Sequence, residues 1–215
     1  MLPSSTSSMM GTSKLLSGKL QAYHVRHPNL VALMGCCVME DECFLVYEFC
    51  PNGNLSEWLF AKLSDFGLSK VIDMGESYVS SEVRGTFGYV DPEYRSNQRV
   101  NSSADVYSFG IVLLQIVSGK KVINLNLKKP MPLSKMAWVH SGSGIIAEFS
   151  DPKLDGEYST EAFDLTLQLA LSCTSLKKER PSMEQVVERL KEALKISTRA
   201  KAGAPQTKPE QSFTS

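Results

Sequence analysis

Apolar residues change their spacing twice along this chain, and the changes mark out its elements. Residues 31–38 (VALMGCCV) and 42–50 (ECFLVYEFC) are short apolar runs rich in β-branched and aromatic side chains, separated by the acidic turn Met39-Glu40-Asp41. They predict a two-stranded hairpin. Pro51-Asn52-Gly53-Asn54 is a strong turn signal, after which Leu55, Trp58 and Leu59 open an apolar helical face that stops at Phe60. A strand-like AKLSDFG follows at once over 61–67, then a Gly/Ser-rich stretch over 74–88 that suits a long functional loop. From there the spacing is helical. Residues 105–117 are apolar on nearly every side, which predicts a helix buried all round at the centre of the core. Phe163, Leu165, Leu167, Leu169, Ala170 and Leu171 give 162–174 a helical pattern that should pack on it. The last helix opens on Ser182 and Gln185 as a capping box and carries one apolar stripe, Met183, Val186, Val187, Leu190 and Leu194.

At 215 residues and 42% hydrophobic content the chain can bury one sizeable core but not two. Lys plus Arg and Asp plus Glu are 23 each, so no global field draws it to nucleic acid or an acidic membrane, and partners must be recognised locally. Five cysteines, with Cys36 and Cys37 adjacent and no Cys-x-x-Cys with histidines at ligand spacing, predict reduced cytosolic thiols. The first eighteen residues hold no apolar stretch long enough for a signal-peptide core, and the longest apolar run elsewhere is broken by Gln115. The expectation is therefore a protein without a membrane-spanning segment, with disordered ends at 1–18 and 196–215 and a single domain over 19–195.

The ordered series HPNLV (27–31), LVYEF (45–49), DFG (65–67), GTFGYVDPEY (85–94), DVYSFG (105–110) and ERPSM (179–183) resembles plant receptor-like and receptor-like cytoplasmic serine/threonine protein kinases, over about residues 25–195. The resemblance implies an α+β, truncated kinase-like fold: a remnant of the small β lobe and hinge over 19–50, and a mainly helical large lobe over 51–195. It implies ATP and Mg²⁺ as cofactors of the intact family, with Asp65 as the carboxylate on the metal and backbone groups of Glu48 and Cys50 on the adenine, Tyr47 guarding that pocket. Phe66 and Gly67 would begin an activation segment in which Ser77, Tyr78, Ser80, Ser81 and Thr86 are hydroxyls open to phosphorylation, Ser80 and Ser81 foremost. Thr86 would shape the groove for a peptide substrate. Glu93 and Arg180 would form a buried structural ion pair, and Asp105 would anchor the catalytic loop.

Departures from the family pattern carry as much meaning. Trp58-Leu59-Phe60 runs directly into Ala61-Lys62-Leu63, where the family inserts a long helix and the His-Arg-Asp catalytic loop. The general base and the second metal ligand are thus absent, and no catalytic residue is assigned. No glycine-rich loop or Val-Ala-Ile-Lys strand stands before His27, and no carboxylate stands before Glu40. Gly142-Ser143-Gly144-Ile145-Ile146-Ala147 matches a dinucleotide fingerprint with Asp164 downstream, but no βαβ pattern surrounds it. The functional expectation is a serine/threonine kinase family member without phosphotransfer in this form. The alternatives are a catalytically dead module binding protein substrates or partner kinases, and a non-functional product of exon loss. Its expected place is the cytoplasm, where partners could bring it near the plasma membrane.

Overall fold

The computed structural model describes residues 27–39, 42–51, 68–124, 130–143 and 148–203. These fall into two units, one through Val79 and one from Ser80 onward. The described part of the first unit is dominated by the antiparallel hairpin of β1 (Leu33–Met39) and β2 (Glu42–Tyr47), paired from Leu33↔Tyr47 to Met39↔Glu42 with an irregularity after Leu33. From Met39↔Glu42 the register runs unbroken to Gly35↔Val46, so side chains alternate between the two faces over that stretch.

The second unit is helical: α1 (Pro92–Asn97), α2 (Ser102–Ser118), α3 (Leu133–Ser143), α4 (Thr160–Cys173) and α5 (Met183–Gly203). Helices α1, α2, α4 and α5 each start on a short polar side chain. Asn101 accepts from the Ser103 N–H at 3.0 Å and Ser159 from the Ala162 N–H at 3.3 Å. Ahead of α5 the capping box is reciprocal, with the Ser182 N–H on Gln185 Oε1 at 2.8 Å and the Gln185 N–H on Ser182 Oγ at 3.3 Å. Helix α2 stops at Gly119, whose φ of 63° is the left-handed cap that glycine adopts without strain.

α4 is the main partner of α2, and α5 packs in turn on α4. Ile111, Leu114, Leu167, Leu169, Leu171, Cys173 and Val186 are essentially solvent-free, joined by Leu133 and Ala137 from α3 and by Phe149. Burying an aliphatic or aromatic side chain of this size stabilises by roughly 1.5–3 kcal/mol, so this cluster carries the unit. The thiol of Cys173 is pushed up to about 11 by the same burial and stays neutral. Close approach of α2 to α4 depends on Gly110: a Cβ there would stand 2.7 Å from Cys173 Cβ and 2.9 Å from Thr174 Cγ2.

Two expectations need correcting. Helix α2 is not buried all round: Asp105 and Ile116 are exposed, Phe109 and Val112 half-buried, and these four share one face. Periodicity marks a residue as apolar but does not say whether a neighbour covers it. The final helix also continues past 195 to Gly203, because Lys195, Arg199, Ala200 and Lys201 favour helix although their polarity reads as tail.

The buried ion pair has a different centre from the one expected. Arg180, 2% exposed in its side chain, holds Asp91, 3% exposed, through Nη1–Oδ2 at 2.6 Å and Nη2–Oδ1 at 2.9 Å. Glu93 stands 3.6 Å from Nη2, is 37% exposed, and takes the Lys177 N–H at 2.6 Å. Asp91 is the N-cap of α1, so its carboxylate turns back into the core and also accepts the Glu93 N–H at 2.9 Å, whereas Glu93 lies inside the first turn and points outward. The remaining Arg180 donors reach Ser175 O at 2.8 Å and Ser103 O at 3.0 Å, and the guanidinium lies over the Tyr107 ring.

Stripping charge from a buried partner strands the other, so Asp91→Asn should cost about 3–5 kcal/mol in urea unfolding. Glu93→Gln, at an exposed site that keeps its acceptor, should cost under about 1 kcal/mol. Equal losses would return Glu93 to the centre of the pair. In the same series Gly110→Ala should cost about 1–3 kcal/mol by overpacking the α2–α4 contact, and a neutral result would mean that the helices can part without loss.

Candidate functional site

The residues expected to hold a nucleotide begin at the end of β2. Tyr47 is its last residue and half-buried, Phe49 is 88% exposed, and Cys50 is exposed with a free thiol. The Glu48 N–H is donated to Ala32 O at 2.9 Å, which fastens the strand exit to the segment before β1. Of the two backbone groups of Glu48, the carbonyl is therefore the one that can serve a base, and the Cys50 Sγ lies 3.9 Å from it. A carbonyl at 48 with an amide at 50 suits the donor and acceptor edge of adenine. Asp65, Phe66 and Gly67, like the helical face at 55–60, lie outside the described residues. Among the described residues no cluster of His, Cys, Asp and Glu could hold a metal ion.

Residues 68–93 are the expected activation segment. Ser77, Ser80 and Thr86 are exposed, and Tyr78 is half-buried. Ser81 is half-buried, donates its hydroxyl to Glu82 O at 3.2 Å, and gives its N–H to Gln98 O at 2.9 Å. Of the two serines singled out from the sequence, Ser80 is the more open. Tyr94 holds the same stretch by donating its buried hydroxyl to Glu82 O at 2.7 Å. On the far side, Ser108 donates to Tyr89 O at 2.9 Å and Tyr89 to Gln115 Oε1 at 2.6 Å, so the GTFGYVDPEY turn is laced to α2. Arg95 lies 5.5 Å over the ring of Phe87, which is largely exposed beside Thr86.

Asp105 sits in the first turn of α2, with no hydrogen-bond or ion-pair partner among the described residues. Much of the residue meets solvent, yet packing near the carboxyl raises its pKa by desolvation. The dinucleotide-like run is preceded by helix α3 rather than a strand, and residues 144–147 lie outside the described residues. Asp91 is the functional neighbour that the sequence reading passed over; its signal was a carboxylate where the kinase pattern usually has alanine.

Comparison with known proteins gives these placements a frame. The family model for the protein kinase domain matches residues 59–190, and that for protein tyrosine and serine/threonine kinases matches residues 4–61. The two meet at 59–61. A probable LRR receptor-like serine/threonine-protein kinase of Arabidopsis thaliana is 35% identical over 226 residues, covering 79% of this chain and 25% of the relative. The nodulation receptor kinase of Pisum sativum is 33% identical over 234, covering 82% and 25%. The chain thus spans about a quarter of the length of these relatives. Since 79% of 215 residues is about 170, about 56 of the 226 aligned positions have no residue of this chain. For the pea protein 82% is about 176 residues, which leaves about 58 of 234. With the hairpin, the activation-segment turn laced to a central helix, and matches that together run from residue 4 to 190, the chain belongs to the protein kinase domain family, among the plant receptor-like serine/threonine kinases.

Proposed function

We propose that this chain is a kinase-family protein that cannot transfer phosphate and that acts, where it acts, as a binding partner for other kinases of its class. About 56 positions aligned to a relative have no residue of this chain, and that shortfall carries the reading. The two family matches meet at 59–61, where the catalytic loop would be entered, and no His-Arg-Asp occurs anywhere in the sequence. Losing a positioned general base removes about 10²–10⁴-fold by itself. In phosphoryl transfer the protein supplies positioning and charge stabilisation, parts that act as a unit and are not replaced by one remaining carboxylate. The family's ATP would supply the phosphoryl group, with Mg²⁺ on its phosphates. Here the carbonyl of Glu48 and the amide of Cys50 would hold the adenine and Asp65 the metal.

The binding-partner reading is favoured by the exposed hydroxyls of the activation segment, which sit on a scaffold that α1 and α2 hold in place without a catalytic loop. A partner kinase would treat this segment as a substrate, in the cytoplasm, where a receptor-like partner could bring it to the plasma membrane. Among the described residues no helix is long and apolar enough to cross a membrane.

Incubating the purified chain with labelled ATP, Mg²⁺ and generic protein substrates should give no incorporation above background. Steady incorporation abolished by Asp65→Asn would overturn the inactivity. In a separate incubation, an active receptor-like kinase should phosphorylate the chain, with Ser80 modified ahead of Ser81 by phosphopeptide mass spectrometry. Label found only outside 77–86 would count against the activation-segment reading.

A further inference from the structure

Ser80 closes one two-residue strand, Arg99 opens another, and the two strands are hydrogen-bonded to each other. The Ser81 N–H is donated to Gln98 O at 2.9 Å, one residue after Ser80 and one before Arg99, so the strands run antiparallel and Ser80 stands across from Arg99. A bond in that place marks a non-hydrogen-bonded pair, the kind whose side chains lie nearest, with Cβ atoms about 4.5–5.5 Å apart. Both residues are exposed. Their backbones are held from the α1 side. Gln98 caps α1 at a φ of 56° with its N–H on Tyr94 O at 2.8 Å, and the Arg99 N–H is taken by Asn97 Oδ1 at 2.8 Å. Across from them, the Tyr94 hydroxyl holds Glu82 O, two residues after Ser80.

We propose that a phosphate on Ser80 is received by Arg99, so that phosphorylation fastens the activation segment to the turn that ends α1. The inference rests on the reading that a partner kinase modifies Ser80, and adds the group that answers the phosphate. A phosphoserine carries a charge of about −1.5 to −2 at neutral pH with three acceptor oxygens, and a guanidinium can meet two of them as a planar fork. No His-Arg-Asp occurs in the sequence, so that motif supplies no arginine. The neighbouring charges leave the task to residue 99. Glu82, which would repel a phosphate, is paired with Arg84 Nη2 at 2.9 Å, both side chains exposed, and Arg95 lies over the Phe87 ring. Ser81 is placed differently: its hydroxyl is donated to Glu82 O at 3.2 Å, and the residue across from it is the uncharged Gln98. The geometry therefore separates two adjacent serines, one with a cation opposite and one without.

The test uses the full chain with phosphoserine incorporated genetically at position 80 or at position 81, so that no kinase is needed, and follows the phosphate's second ionisation, ordinarily about pH 6, by phosphorus NMR. A cation across the strand favours the dianion, so the phosphate on Ser80 should titrate at least about half a pH unit below that on Ser81. Arg99→Gln should erase the difference, and Arg99→Lys, which keeps the charge without the fork, should retain part of it. Phosphate on Ser80 should also slow hydrogen exchange at the Ser81 N–H about three-fold, and Arg99→Gln should abolish the slowing. Both substitutions leave the backbone N–H of residue 99 in place, and circular dichroism would check that each variant folds. Equal titration of the two phosphates, or a difference that survives Arg99→Gln, overturns the proposal. A difference lost in Arg84→Gln but kept in Arg99→Gln overturns it in favour of Arg84. Failure of an active receptor-like kinase to modify Ser80 would instead sink the reading beneath it, and the titration would still decide whether Arg99 receives the phosphate.

Discussion

The guanidinium of Arg180 joins parts of the chain nearly ninety residues apart, and the helical unit is arranged around it. Its two terminal nitrogens are divided among Asp91, Glu93 and the Ser103 carbonyl, and its Nε goes to Ser175. An arginine buried to 2% exposure is tolerable only where its donors are answered, and the cost of withdrawing it from water is offset by geometry that leaves little slack. The N-cap of α1, the first turn of α2 and the turn before α5 are therefore fixed relative to one another. The stretch from Asp91 to Tyr94 is fixed with them.

That constraint accounts for what survives in a chain of this length. The α2–α4 contact, closed at Gly110, and the α4–α5 contact through Val186 are local to the second half of the sequence. They draw on nothing before Ser102. The hydroxyl-bearing loop is pinned by Tyr94 to Glu82 and by Ser108 to Tyr89, both within the same unit. Docking asks for one rigid face of this kind, whereas catalysis needs groups converging from several segments.

Much of this was legible in the sequence because it is local. The hairpin follows from two apolar runs about a short acidic turn, and the Ser182 and Gln185 box forms as their spacing requires. The extent of α2 follows from its apolar density between Asn101 and Gly119. The choice of Asp91 over Glu93 was not legible, because two carboxylates two residues apart differ only in which one caps the helix and turns inward. Nor was the bareness of Ile116, Val187 and Leu194, since a pattern of apolar residues records what a helix can bury and not what lies against it. For the nucleotide site, backbone groups do the recognition at Glu48 and Cys50, and backbone groups leave almost no mark on residue identity.

Asp105 shows how the two halves of the functional reading fit. In an active relative, the resemblance gives this carboxylate the task of holding the catalytic loop's backbone; here it stands in the first turn of α2, raised in pKa by desolvation and without a hydrogen-bond or ion-pair partner among the described residues. An isolated carboxylate beside apolar surface is unfavourable unless donors reach it. Under the proposed reading the loop that would answer it is absent from this chain, so the carboxylate is left to solvent, which reaches much of the residue.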